Sequence, residues 1–132
     1  MEVINLMLKL NSILLFSENP EALSKFYTKV YGKEPDWVDG GYYGFSSDKF
    51  FLTIGPHDKV HGQNSQPERI MINFETTDVK GEFERIKGLG AKVIKEPYSM
   101  GEGDYEGQIA TFEDPDGNYF QLMSPFDMEL TN

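Results

Sequence analysis

Cysteine is absent from the chain. That absence removes disulfides, thiol catalysis and thiolate metal sites together. Arginine is nearly absent too: Arg69 and Arg85 are the only two, and 12 basic residues face 22 acidic ones for a net charge of −10. Phosphate backbones and anionic membranes are met by clustered Lys and Arg. The lysines here are scattered among acids, so nucleic acid and membrane are set aside as partners. No stretch approaches the roughly 20 apolar residues that span a bilayer. The opening Met1-Glu2-Val3-Ile4-Asn5-Leu6 carries an early acid and no small-residue cleavage site, so no secretory signal is expected and a cytoplasmic location follows by default. There is no Gly-rich phosphate loop, no Gly-x-Ser-x-Gly elbow and no Cys–His pair.

What is present suits one α+β domain over residues 1–132. A chain of this length buries roughly two-thirds of its unfolded surface, enough for a core without staples. Ile13 to Phe16 is a short apolar run broken by Ser17-Glu18-Asn19-Pro20. Asn19 is a good N-cap and Pro20 suits the first helical turn. Leu23, Phe26, Tyr27, Val30 and Tyr31 then follow at helical spacing, and Gly32 stands where a left-handed cap belongs. An aromatic and glycine-rich region follows, Trp37 to Phe45. Phe50 to Ile54 reads as a strand after a hairpin turn at Ser46-Ser47-Asp48-Lys49.

The pattern then repeats. Ile70 to Phe74 is a strand, Asp78 caps a helix carrying Val79, Phe83, Ile86 and Leu89 on one face, and Gly90 closes it. Gly81 and Gly88 each cost this helix roughly 1 kcal/mol relative to alanine, so packing must hold it. Lys92 to Lys95, Ile109 to Phe112 and Tyr119 to Met123 are the remaining strands, the last after the tight turn Asp114-Pro115-Asp116-Gly117-Asn118. Ser12 and Asn19 align with Met71 and Asp78. Ser47 to Pro56 aligns with Asp116 to Pro125, which sets Leu52 against Gln121. The reading is two duplicated modules, about 10–56 and 68–126, joined by a polar linker at 57–67.

The stretch Ile13-Leu14-Leu15-Phe16-Ser17-Glu18-Asn19-Pro20, leading to Phe26-Tyr27 and Gly32, resembles the opening of a vicinal-oxygen-chelate protein. Phe112-Glu113-Asp114-Pro115-Asp116-Gly117-Asn118-Tyr119-Phe120-Gln121-Leu122 resembles that family's closing signature. The group is also called the glyoxalase, bleomycin-resistance and extradiol-dioxygenase superfamily. The resemblance covers Asn11 to Pro125. It implies two tandem βαβββ modules whose mixed sheets curl around a shared cleft, commonly within a homodimer.

The resemblance also implies a divalent metal in the cleft, held by His and carboxylate ligands from the first and last strands of each module. Here those positions fall on Ser12, Leu52, Met71 and Gln121. Gln121 offers one carbonyl oxygen, a neutral Ser12 binds divalent ions weakly and Met71 prefers soft metals. No cofactor is therefore expected. His57 and His61 are spaced i, i+4, but Gly55, Pro56 and Gly62 flank them and argue against a helix that would share a metal. They read as solvated loop residues.

The remaining signal is aromatic. Trp37, Tyr42, Tyr43, Phe45, Tyr98, Met100 and Tyr105 lie in segments expected to rim or floor the cleft, and aromatic walls with a few polar groups line small-molecule pockets. Trp37, Tyr43, Phe45, Tyr98, Tyr105 and Gln121 are the candidate ligand-binding residues. The hydroxyls of Tyr43 and Tyr105 are placed to reach a ligand. Core packing is the alternative for each ring. The run Glu102, Asp104 and Glu106, interleaved with Gly101, Gly103 and Gly107, reads as a solvated loop or as a flap over the cleft. Two functions follow. One is a metal-free protein binding a small hydrophobic or cationic organic ligand, as antibiotic-sequestering members do. The other is a metal-dependent lyase, isomerase or dioxygenase of the glyoxalase type with an atypical site.

Overall fold

A computed structural model of the protein describes residues 8–99 and 107–125. The chain divides into two compact units, 1–61 and 62–132. Each is a βαβββ module with one four-stranded mixed sheet.

In the first unit, β1 (Ser12–Phe16) leads into α1 (Pro20–Tyr31). The Asn19 side chain accepts from the Ala22 N–H at 3.3 Å, and Pro20 opens the helix where its missing donor costs nothing. Gly32 ends α1 at φ 78°, donating to the Thr28 carbonyl. Three strands follow: β2 (Trp37–Asp39), β3 (Tyr42–Ser47) and β4 (Phe50–Gly55). The sheet order is β1-β4-β3-β2, with β1 parallel to β4 and the other pairs antiparallel. β2 begins inside the aromatic and glycine-rich region that follows α1. Asp39-Gly40-Gly41-Tyr42 turns it into β3, with positive φ at both glycines.

Strand alternation divides each sheet into two faces. In the first sheet Phe45, Leu52 and Ile54 share the face that packs on α1, and Phe45 stacks on Tyr31 with ring centroids 4.7 Å apart. Leu23, Tyr27 and Val30 bury the facing side of the helix. This is the periodicity expected of the amphipathic stretch.

The second unit repeats the plan with β5 (Met71–Glu75), α2 (Val79–Gly88), β6 (Lys92–Ser99), β7 (Gln108–Glu113) and β8 (Tyr119–Met123). Its order is β5-β8-β7-β6. Phe83 of α2 stacks on Phe112, which stacks in turn on Phe120, at 5.1 and 5.4 Å. The turn before β8 is built by one carboxylate. Asp114, buried, accepts from the backbone N–H groups of Asp116 and Asn118 at 2.8 and 2.9 Å and from the Asn118 amide. Gly117 supplies the φ of 84° that closes it. Part of the polar stretch read as linker is pinned to this turn: Gln63 Nε2 donates to the Pro115 carbonyl and the Asn64 N–H to that of Asp116, both at 2.8 Å.

The pairing register corrects one alignment. Ser17 N–H donates to the Gly55 carbonyl and Thr76 N–H to the Met123 carbonyl, both at 2.9 Å, so Gly55 and Met123 are equivalent. Counting back, Gln121 matches Thr53, not Leu52. The β7–β8 turn holds one residue more than the β3–β4 turn, since Ser46 pairs with Phe51 but Glu113 pairs with Tyr119. The sequence alignment absorbed that residue in the wrong place. Leu52 lies on the helix-covered face, 3 % exposed.

Candidate functional site

The face of each sheet turned away from its helix is where functional side chains are available. On the first sheet it carries Ser12, Leu14 and Phe16 from β1, Trp37 and Asp39 from β2, Tyr42, Gly44 and Ser46 from β3, and Phe51, Thr53 and Gly55 from β4. Asp39 is the single charged residue among these strand positions.

Two rings on this face rest on glycine. An added Cβ at Gly44 would lie 2.2 Å from Cε2 of Trp37, with Nε1 and Cζ2 next. The nearest atom is the ring-fusion carbon, so the indole lies face-down over the strand. At Gly55 an added Cβ would meet Cδ2 of Tyr42 at 2.3 Å. Thr53, 6 % exposed, pairs with Gly44 and lies two residues before Gly55, so its side chain sits between the two seats. Trp37 itself remains 41 % exposed.

The strand that carries Trp37 is fixed at its start by Asp36. The Asp36 N–H donates to the Gly44 carbonyl at 2.7 Å, and its carboxylate accepts from the Ser46 N–H at 2.7 Å and from Lys33 Nζ at 2.9 Å. The Ser46 backbone bond first, and Lys33 second, lower the Asp36 pKa to about 2. Lys33 also donates to the Ser46 carbonyl. Burial, and then the Asp36 charge, push the Tyr31 hydroxyl up to about 12.

At the end of β1, Phe16 and His57 meet in a T-shaped contact with centroids 5.1 Å apart. His57 belongs to an open recess of about 410 Å³ that also includes Ser17, Pro56 and His61. Its Nδ1 accepts from the Lys59 N–H at 3.1 Å, which occupies that lone pair.

The second sheet's open face has a different character. One row across its four strands runs Asn73, Gln121, Thr111 and Lys95. Gln121 Nε2 donates to Thr111 Oγ1 at 2.9 Å. Two register shifts in β6 bring Lys95 opposite Thr111 and Tyr98 opposite Ile109, with Lys95 Nζ 5.2 Å from the Tyr98 ring centroid. Lys92 Nζ stands 3.6 Å from Glu113.

The candidate residues therefore separate. Trp37 is on the open face of the first sheet, and Tyr98 and Gln121 share that of the second. Phe45 is spent in the core, and Tyr43, paired with the buried Ile54, projects to the same helix-covered side. The β3 ring on the open face is Tyr42. Tyr105 and Met100, with the 101–106 run, lie outside the described residues. Sequence reading missed the glycine seats and stopped at Leu52, one residue short of Thr53. Counting alternation back from Phe45 finds Tyr42 and Gly44, but only the pairing register finds Thr53 and Gly55.

Ser12, Thr53, Met71 and Gln121 occupy the open-face positions where the resemblance puts metal ligands. None is anionic and none is a histidine; Gln121, which donates its Nε2 to Thr111, offers a single neutral carbonyl oxygen. This set does not fit a hard divalent metal. Among the described residues, no three or more His, Asp or Glu side chains are grouped to hold an ion. None of the described helices is long and apolar enough to cross a membrane.

The family description Glyoxalase/Bleomycin resistance protein/Dioxygenase superfamily matches residues 9–122. The uncharacterized protein YetH of Bacillus subtilis (strain 168) is 25 % identical over 124 residues, which cover 86 % of this chain and 96 % of that one. Among solved structures, a glyoxalase/bleomycin resistance protein/dioxygenase family enzyme from Burkholderia phytofirmans PsJN is similar with a TM-score of 0.70 at 20 % identity, covering 90 % of this chain and 100 % of that one. TioX from Micromonospora sp. ML1 is similar with a TM-score of 0.67 at 10 % identity, covering 89 % and 99 %. At these identities the solved structures establish the fold.

Proposed function

This chain belongs to the Glyoxalase/Bleomycin resistance protein/Dioxygenase superfamily, and on that premise we propose that it is a small-molecule-binding member working without a metal. The observation that carries the reading is the open face of the first sheet, where Trp37 and Tyr42 are seated on glycine beside Thr53, Leu14 and Phe16. Rings with a few polar groups between them favour a small organic ligand, hydrophobic or cationic. The neutral set Ser12, Thr53, Met71 and Gln121 supports the metal-free half of the reading. Sequestration of an organic compound, an antibiotic among the possibilities, is the activity such a face serves.

The working form we propose is a cytoplasmic homodimer. Leu8, Leu10 and Leu14 alternate along the approach to β1 and through it, at 90 %, 85 % and 56 % exposure. An apolar row of this kind on an edge strand is a liability unless it is covered.

A thermal-shift screen against hydrophobic compounds, cationic antibiotics and the divalent ions of nickel, zinc and iron tests the function. The expected result is a raised melting temperature with an organic compound and none with a metal. Near-stoichiometric metal in protein equilibrated with those ions and then desalted would overturn the metal-free reading in favour of a glyoxalase-type lyase, isomerase or dioxygenase.

A further inference from the structure

We infer that Gly44 and Gly55 are specificity-determining residues that make the first sheet's open face select planar, conjugated ligands. The inference rests on the ligand-binding reading above and narrows its ligand class. A side chain at either position would stand where a ring now lies, since an added Cβ falls 2.2 Å from the Trp37 indole and 2.3 Å from the Tyr42 ring. Both separations are far below van der Waals contact, so any larger residue lifts the ring away from the sheet. With glycine present, the indole lies face-down on β3 and its opposite face is turned outward, consistent with the exposure of Trp37.

The second module makes the point by contrast. The residues equivalent to Gly44 and Gly55 are Thr111 and Met123, and the first of these is engaged by Gln121. Both positions carry side chains, so no ring can lie directly on the backbone there as Trp37 and Tyr42 do. The shared fold therefore does not require glycine there, and the pair is a property of the first face. Gly44 and Gly55 also have no positive φ, so backbone conformation does not explain them. What they provide is room for two flat rings, with the buried Thr53 between them. A flat outward ring face gains most from a flat partner at stacking distance. A puckered or branched ligand touches such a face at a few atoms only.

The test is a pair of ligands with one skeleton and one hydroxyl: naphthol, which is planar, and its fully hydrogenated counterpart decalol, which is puckered. Isothermal titration calorimetry with the intact protein gives the ratio of their affinities. Naphthol is expected to bind roughly tenfold more tightly, the upper range for ring stacking. Trp37→Leu keeps apolar bulk but removes the plane, and should bring the ratio close to one. Gly44→Ala should lower the ratio in the same direction by lifting the indole. Trp37→Leu decides the matter if Gly44→Ala fails to fold, because Trp37 is a partly exposed residue of the edge strand. Decalol binding as tightly as naphthol, or a ratio that Trp37→Leu leaves unchanged, overturns the inference while leaving ligand binding intact. If neither alcohol binds at millimolar concentration, the inference is overturned, while the ligand-binding reading stands or falls on the thermal-shift screen.

Discussion

The two modules share one topology and present different surfaces. On the helix-covered faces the equivalent residues are apolar in both: Phe45 with Phe112, Leu52 with Phe120, Ile54 with Leu122, all 3 % exposed or less. On the open faces the equivalents part company. Leu14, Thr53, Gly44 and Trp37 form a row in the first sheet where Asn73, Gln121, Thr111 and Lys95 form one in the second. The core side is constrained by packing on its helix, because any change of volume there is felt. The open side packs on no helix of its own module and is free to specialise. Similarity between the modules thus reports the fold, and difference between them reports the function.

The largest effect expected from this comparison is in the cores. Phe112→Ala should cost about 3–5 kcal/mol by urea unfolding, the range for deleting a buried aromatic ring. Phe45→Ala should cost less, because Phe112 stacks between Phe83 and Phe120 while Phe45 stacks on Tyr31. Equal losses would mean that ring stacking adds nothing to the second core beyond burial.

The hairpins ahead of β4 and β8 give the next effect. Gly117 has φ 84° and an added Cβ would lie 2.8 Å from Gln63 Oε1, so Gly117→Ala should destabilise by about 1–3 kcal/mol. Asp48, in the first hairpin, holds φ 55° with a side chain. Asp48→Gly should relieve that conformation and stabilise by about 0.5–1 kcal/mol. Opposite signs for these two substitutions, measured by thermal unfolding, would confirm that the turns solve the same reversal by different means.

Much of the common plan was legible in the sequence. The caps at Asn19 and Asp78, the helical spacing after each, and the Asp-Pro-Asp-Gly-Asn turn are local signals, and local chemistry enforces them. What was not legible is non-local. The alternation of Tyr42, Tyr43, Gly44 and Phe45 gives two faces, but an aromatic on each hides which face is buried. Tyr43 was chosen where Tyr42 is the open-face ring, because nothing local marks α1 as the partner of Phe45. Leu52 was placed where Thr53 belongs, because one extra turn residue shifts the register and flips the face. The glycine seats escaped notice for a related reason: a glycine in a strand reads as a weakness until the ring that covers it is known.

The smallest effects are at the extremes of pH, and both probe the first module. Asp36 has its pKa lowered from 3.8 to about 2, so its contribution is present above the unfolded value and is lost as pH falls from about 4 toward 2. Asp36→Asn should flatten that part of the acid limb of the stability profile. Tyr31 has its pKa raised from 10.0 to about 12, so the neutral phenol favours the fold below pH 10, and that contribution is lost as pH rises toward 12. Tyr31→Phe should remove this alkaline loss while keeping the stack on Phe45.

Trp37 is the one tryptophan in the chain, so its emission reports directly on the open face of the first sheet. The decisive measurement is that emission, titrated with the organic compound that raises the melting temperature most. A saturable change with the same midpoint as calorimetric binding is the predicted result. Binding that saturates by calorimetry while Trp37 emission stays constant would place the ligand elsewhere and contradict the account.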